Sequence, residues 1–332
     1  MGAKVSVVCP TYNEERYIRH CIESILSQDF PKSELEILFV DGMSSDRTRE
    51  IIAGYITRYP YIRLLDNPNR IAPWAMNIGI EASCGDIVIR LDAHASYAPN
   101  YFSYLVNRLI ELEADNVGSV CVTDVRVRNP KTLAIREVLR NRFGVGNSIF
   151  RIGVDKVCEV DTVPFGCWKR DVFRRYGLFD VRLVRNQDIE FNRRITRGGG
   201  KIYIVPDTYC TYYARETFRA LSKQGYLNGK WNIFTVWYER TFHTLSVRHF
   251  IPLSFVLSLV LPLLLLPFWA PLALVSAASL LAYAFLMVTV CARLHVAKQL
   301  SFIHLIMSFA ILHFSYGLGA LAGIFTLPFI RR

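Results

Sequence analysis

Residues 5–28 read VSVVCPTYNEERYIRHCIESILSQ, and the change of period within this stretch decides the fold. "VSVVCP" is an unbroken apolar run, the pattern of a strand buried on both faces. From Asn13 the apolar residues recur as Tyr17/Ile18, Cys21/Ile22 and Ile25/Leu26, which is helical spacing. Asn13 is the expected N-cap, with Glu14 and Glu15 at the positive end of the helix. The alternation then repeats. "ELEILFVD" (34–41) reads as a strand and "SDRTREIIAGYITRYP" (45–60) as a helix capped by Ser45 or Asp46. "IRLLDNP" (62–68), a helix over 72–83 and "DIVIRLDAH" (86–94) continue the series. Strand–helix alternation of this kind predicts an α/β fold, a Rossmann-like and mostly parallel sheet covered by helices.

Ligands of such sheets bind outside the carboxyl ends of the strands. "PTYNE", "DGMSSD" and "DAH" follow the first, second and fourth strands, so the topology brings them to one rim. Further along, a helix at about 99–113 precedes the strand "GSVCV". Residues 124–160 carry basic helical stretches and the glycines of "FGVGN", which suggest a mobile loop. "VDTVPFGCWKRDVFRRYG" (160–177) has a strand–turn–helix pattern. "NQDIEFNRRI" (186–195) reads as a helix with Asp188 in its first turn.

Composition breaks near residue 239, after which no Asp or Glu occurs in the 332-residue chain. Apolar stretches at about 250–267, 270–292 and 302–328 are long enough, the first marginally, to serve as membrane spans. Ahead of them, residues 215–248 mix aromatic, aliphatic and basic side chains, the pattern of amphipathic helices in a membrane interface; Gly225 and Gly229 are expected to break that helix in two. The expected domains are therefore 1–214, 215–248 and 249–332. The basic loop "RLHVAKQL" points to the cytoplasmic side, which would also hold the N-terminal domain. "MGAKVSVV" runs too quickly into "CPTYNEE" to read as a signal peptide.

The net charge of +11 comes from scattered residues, without a nucleic-acid-binding module, and an anionic lipid surface accounts for it better than nucleic acid. The eight cysteines (9, 21, 84, 121, 158, 167, 210, 291) show no CxxC and read as reduced, mostly buried thiols.

"VSVVCPTYNEERYI", "ILFVDGMSSDRT", "NIGIEASCGDIVIRLDAHA" and "LVRNQDIEFNRRI", in this order, resemble a family 2 glycosyltransferase with the GT-A fold over roughly residues 4–231. With the apolar tail, the pattern is most similar to bacterial exopolysaccharide transferases of the succinoglycan ExoA type. The resemblance implies a base-and-ribose pocket at Pro10, Thr11, Tyr12, Asn13 and Glu14. It adds Asp41 to accept from the base N–H, and Arg70 of "NPNRIAPWAMN" beside a uracil. Asp92 and His94 take the places of the family's Asp-x-Asp and imply Mn²⁺ or Mg²⁺ on the donor diphosphate. Asp188 takes the place of the catalytic base, where it could equally serve the helix dipole; Glu190 is its only nearby rival. Gln187 replaces the family's usual acidic neighbour. "VPFGCW" resembles the acceptor-side turn, with Gly166 admitting a sugar and Trp168 either stacking on it or packing. Gln224, Lys230 and Trp231 match the polymerising synthases' Gln-x-x-Arg-Trp only at a different spacing, which implies addition of a single sugar.

The resemblance thus implies an inverting, metal-dependent hexosyltransferase using a UDP-sugar, UDP-glucose or a relative, and a lipid-linked, polyprenyl-type acceptor at the bacterial inner membrane. Transfer directly to polyprenyl phosphate or a glycerolipid is the alternative within the class. A non-catalytic nucleotide-binding membrane scaffold is the alternative outside it. The apolar tail also offers a surface for self-association.

Overall fold

A computed structural model describes residues 4–330. The strands are β1 (Val5–Thr11), β2 (Leu35–Asp41), β3 (Ile62–Asp66), β4 (Ile87–Arg90), β5 (Ala95–Tyr97), β6 (Asn116–Asp124), β7 (Cys158–Glu159), β8 (Cys167–Lys169) and β9 (Ile202–Tyr213). They form one sheet in the order β3-β2-β1-β4-β8-β6-β9-β5, with β7 paired to β9. The expected parallel pairing holds for β1 to β4. Beyond β4 the sheet turns antiparallel, through β8 on both β4 and β6, and β5 and β7 on β9. The sheet is therefore mixed, because apolar runs reveal a strand but not its direction.

Two compact units emerge. One comprises residues up to Val122 together with 149–213; the other comprises 123–148 together with the residues from 214 onward. Residues 123–148, grouped by sequence with the N-terminal domain, thus cluster with the C-terminal helices.

In the first unit every residue of β2 and β4 is buried, as expected for strands covered on both faces. Helices Ile18–Leu26 and Tyr101–Glu111 cover one face, packing Cys21, Ile22, Ile25, Phe102 and Leu105 against Val7, Phe39 and Ile89. Helices Ala72–Ala82 and Gln187–Arg197 cover the other, packing Met76, Ile80, Phe191 and Ile195 with Val8, Val88 and Trp168. All the cysteines are free; most are buried, but Cys84 is exposed.

In the second unit, helix Phe218–Glu239 is continuous, and Gly225 and Gly229 do not break it. A Cβ at Gly225 would lie 2.3 Å from Ser315 Oγ, and one at Gly229 would lie 1.9 Å from the Tyr316 carbonyl oxygen. A Cβ at Gly319 of the facing helix Phe302–Thr326 would lie 2.0 Å from the Tyr226 carbonyl. These glycines let two helix backbones touch, the small-residue packing familiar from membrane helices. Asn232 Nδ2 donates across the same seam to Tyr316 Oη at 2.6 Å. Helix Pro130–Val138, started by a capping box at Asn129, sets Ile135 and Val138 against Leu305, Phe309 and Leu312. "FGVGN" is not simply loop, since Arg142–Val145 forms a helical turn.

Two helices, Leu272–Lys298 and Phe302–Phe329, are long and apolar enough to cross a membrane; Ile251–Leu264 is shorter. Leu274, Leu281 and Phe285 on the first of them are each at least 70% exposed. A band of that kind is unfavourable in water and marks a surface meant for lipid or protein.

Candidate active site

The parallel strands end in a row. Thr11, Asp41 and Asp66 are register partners across β1, β2 and β3, and Asp92 follows the end of β4. The segments after β1 and β2 are stitched together at this rim. Asn13, held at φ 55°, donates its N–H to Ser44 Oγ at 2.8 Å and accepts from Ser45 N at 2.9 Å. The first helix begins only at Ile18, so Asn13 bridges two loops and does not cap that helix. Asp46 does serve the next helix, accepting from Thr48 N at 3.0 Å.

Asp41 is fully buried. Its Oδ1 accepts from Thr11 Oγ1 and Ser44 Oγ, and its Oδ2 from Ser44 N and Arg49 Nη1. A carboxylate offers about four acceptor positions, and all are taken. In this arrangement Asp41 organises the 42–49 loop. Sequence reasoning missed Arg49, which also pairs with Asp66 at 2.8 Å. Tyr12 remains half-exposed and Arg70 exposed. Both adjoin Gly42, where a Cβ would meet the Arg70 carbonyl and the Tyr12 ring at 3.1 Å each, so the Tyr12 ring and the Arg70 backbone come together over that glycine.

At the tip of β4, Tyr97 grips the backbone of Asp92, its Oη accepting from Asp92 N at 2.6 Å. His94 Nδ1 lies 2.7 Å from Asp92 Oδ1 and 3.3 Å from Glu14 Oε1. It is buried, yet makes no well-angled hydrogen bond to either. Tyr212 and Tyr17 flank the imidazole edge-on, at ring distances of 5.3 and 6.4 Å. Burial alone would push the His94 pKa down, but the Asp92 and Glu14 carboxylates raise it well above its ordinary value. Burial would raise Asp92, yet its carboxyl is held below the usual range by His94 and Arg90. Among the described residues no three His, Cys, Asp or Glu side chains close into a ready-made cage. Mg²⁺-like ions do not need one, since they keep waters and substrate phosphates as ligands. A ring nitrogen facing two carboxylates suits a divalent cation that takes the place of the proton those carboxylates favour.

Topology brings Asp188 to the same rim. β4 and β6 are parallel, both antiparallel to β8, and Val88 and Asn116 both face Trp168. Helix Gln187–Arg197 is tied near its end to the start of β6. Gly200 N donates to the Ile195 carbonyl, and Lys201 N donates to Asp115 Oδ2 at 2.9 Å. Midway, Asn192 accepts from Asn116 Nδ2 at 2.7 Å and donates to the Val163 carbonyl at 3.1 Å. The helix therefore runs from the carboxyl rim of β4 down to the opposite end. Asp188, four residues before Asn192, stands about 6 Å further along the helix axis from that tie. It is half-buried and, among the described residues, accepts only from Ile189 N, at 3.0 Å. Glu190 is buried and held by Arg194, which also donates to the Leu178 carbonyl at 2.7 Å.

Of the two readings open for Trp168, the structure shows packing. Trp168 is 1% exposed and packs among Phe173, Phe179 and Phe191, so it cannot stack on a sugar. Gly166, at φ 104°, is required by that packing, because a Cβ there would lie 2.4 Å from the Trp168 ring. Gln187 is buried with Oε1 unbonded. Lys230 and Trp231 belong to the second unit, on helix Phe218–Glu239, where Lys230 sits over the Phe234 ring.

With this geometry in hand, the comparisons with known proteins are specific. The sequence model of glycosyl transferase family 2 matches residues 6–178. A Methanococcus voltae protein, dolichyl N-acetyl-alpha-D-glucosaminyl phosphate 3-beta-D-2,3-diacetamido-2,3-dideoxy-beta-D-glucuronosyltransferase, is 28% identical over 66% of this chain and 70% of its own. The succinoglycan biosynthesis protein ExoA of Rhizobium meliloti is 29% identical over 68% of each chain. Among solved structures, the mannosyltransferase PcManGT from Pyrobaculum calidifontis, in complex with GDP-Man and Mn²⁺, superposes with a TM-score of 0.60 at 19% identity, covering 97% of this chain and 88% of its own.

Proposed function

Because the chain belongs to glycosyl transferase family 2 and is a glycosyltransferase, we propose that it moves one sugar, with inversion, from a UDP-sugar to a lipid-linked, polyprenyl-type acceptor. Its relatives include an enzyme named for a dolichyl-phosphate-linked acceptor. What supports the reading is the close Asp92/His94 pair at the tip of β4, with Asp188 in the first turn of a helix whose middle and far end are tied to the start of β6.

In this reading Tyr12 and Arg70 receive the base and ribose, on the patch beside Pro10, Thr11 and Asn13. Asp92 and His94 would hold Mn²⁺ or Mg²⁺, which when bound supplies charge neutralisation to the departing diphosphate. Glu14, 3.3 Å from the same ring nitrogen of His94, adds a second negative charge beside the ion. Asp188 takes the proton of the acceptor hydroxyl as it attacks the anomeric carbon from the face opposite the nucleotide. Gln187, one residue before it with an unbonded Oε1, is positioned to accept from a sugar hydroxyl. Glu190 is removed from contention as base by its pairing to Arg194.

The apolar helices of the second unit give the enzyme a reason to reside at a membrane, since a polyprenyl acceptor cannot leave the bilayer. The basic end of helix Leu272–Lys298, with Arg293, His295 and Lys298, favours a cytoplasmic active site at the inner membrane of a bacterium. Incubating purified protein, Mn²⁺ and a lipid extract with a panel of radiolabelled UDP-sugars, with GDP-mannose as control, tests the reading. Label from one UDP-sugar should enter the lipid phase. Label entering only from GDP-mannose, or none at all, would overturn the donor assignment or the whole reading respectively.

A further inference from the structure

Arg90 closes β4, two residues before Asp92, and is only 8% exposed. Alternation along the strand puts Ile87, Ile89 and Leu91 in the core on the Ile18–Leu26 side, and Val88 in the core on the Gln187–Arg197 side. Arg90 therefore belongs to the second face, the one that carries Asp188. Its backbone is fixed by pairing opposite Val8 on β1 and by donation of Arg90 N to the Gly166 carbonyl at 3.0 Å. Its side chain is not fixed in the same way. Nε and Nη1 are buried and bond to nothing, and among the described residues no carboxylate comes within ion-pair distance.

Guanidinium cannot shed its proton in a protein. A buried, unpaired charge of this kind is unfavourable unless an anion completes it. Asp92 attracts it from a distance but does not complete it, because no Asp92 oxygen comes within ion-pair distance and its carboxylate lies against His94. The Cα atoms of Arg90 and Asp92 are about 6.6 Å apart along a strand, so an oxyanion drawn to the Asp92/His94 end can also reach the guanidinium fork. Gln187 Oε1, buried and unbonded on the same side, leaves room for the hydroxyls that such a ligand would carry.

We propose that Arg90 is a phosphate-binding residue of this site, its Nε and Nη1 receiving an oxyanion of a substrate phosphate on the Asp188 side of Asp92. The assignment rests on the glycosyltransfer reading. The phosphate belongs either to the donor diphosphate or to the lipid acceptor, and the chemistry at the guanidinium is the same for both.

The test uses the full chain in detergent, with Arg90→Met and Arg90→Lys. Thermal unfolding without ligand, calorimetric binding of UDP and of inorganic pyrophosphate with Mn²⁺, and KM for a polyprenyl-phosphate-linked acceptor are compared with wild type. Ligand-free Arg90→Met should unfold no earlier than wild type, because the substitution removes an unpaired buried charge. Charge-assisted hydrogen bonds of this kind imply a loss of about tenfold or more. If that loss appears in UDP and pyrophosphate affinity, the source is the donor; if it appears only in acceptor KM, the source is the lipid phosphate. Arg90→Lys should recover part of either. Earlier unfolding of both ligand-free variants would assign Arg90 to the fold, and unchanged binding and KM would leave it without a ligand; each result overturns the proposal. Wild-type protein that transfers no sugar and binds no UDP would instead sink the glycosyltransfer reading, and this proposal with it.

Discussion

Two carboxylates in the first turn of helix Gln187–Arg197 are given opposite roles by their surroundings, and substituting each separates chemistry from stability. Asp188 is half-buried and accepts one bond, from Ile189 N at 3.0 Å, which an asparagine Oδ1 can keep. Asp188→Asn should therefore change folding stability by less than about 1 kcal/mol. A positioned general base contributes about 10²- to 10⁴-fold, so kcat should fall by that factor, about 3–5 kcal/mol of barrier, with donor binding intact. Glu190 is buried and paired to Arg194, which also donates to the Tyr176 and Leu178 carbonyls. Removing one partner of a buried pair costs about 3–5 kcal/mol. Because the guanidinium keeps two carbonyl acceptors, Glu190→Gln should fall towards the lower end, about 2–3 kcal/mol. Its rate per folded molecule should stay within a few fold of wild type. The assay is initial rate at saturating donor, UDP titration and thermal unfolding on the same detergent-purified samples. An active Asp188→Asn, or a well-folded Glu190→Gln that has lost catalysis, would refute the division of roles.

Glu36 on β2 accepts from Ser6 Oγ, Cys84 N and Gly85 N, tying the turn before β4 to the sheet. Burial would raise its pKa, but these hydrogen bonds hold it below the ordinary value. Its stabilisation is therefore fully present above about pH 4.3, the unfolded value, and is lost as pH falls through the lower folded value. Glu36→Gln should cost about 1–3 kcal/mol at neutral pH, a gap in urea unfolding that closes in acid; a gap independent of pH contradicts the assignment. Gly229→Leu should split helix Phe218–Glu239 from helix Phe302–Thr326, since its Cβ would meet the Tyr316 carbonyl at 1.9 Å, and cost about 3 kcal/mol or more. Gly54→Ala, with nothing near its Cβ, should stabilise by up to about 1 kcal/mol in the same thermal assay. EDTA should abolish transfer by wild type, and Asp92→Asn should show UDP affinity that no longer responds to Mn²⁺. EDTA-resistant turnover would remove the metal from the account.

The parallel half of the sheet and its rim were legible because uninterrupted apolar runs and helical spacing are local signals. Asp92 and His94 stood out at the end of a strand, whereas Asp188 was singled out by the family resemblance and not by any local pattern. Other positions depended on partners distant in sequence. Whether Trp168 stacks on a sugar or packs is decided by Phe173, Phe179 and Phe191, which converge only after folding. Asp41 looked like an available acceptor until Ser44 and Arg49 filled it. Gly225 and Gly229 carry a local helix-breaking preference, which close packing on a helix some ninety residues later overrides. The i, i+4 spacing of Glu190 and Arg194, by contrast, was a readable sign that this carboxylate is structural.

The most direct test of the central claim is the structure of the protein with Mn²⁺ and the UDP-sugar it uses, with manganese located by anomalous scattering. The account predicts manganese bonded to an Asp92 oxygen and a His94 ring nitrogen, touching the diphosphate, with the Asp188 carboxylate facing the anomeric carbon from the opposite side. Manganese bound elsewhere, or Asp188 walled off from the sugar by packed side chains, would contradict it.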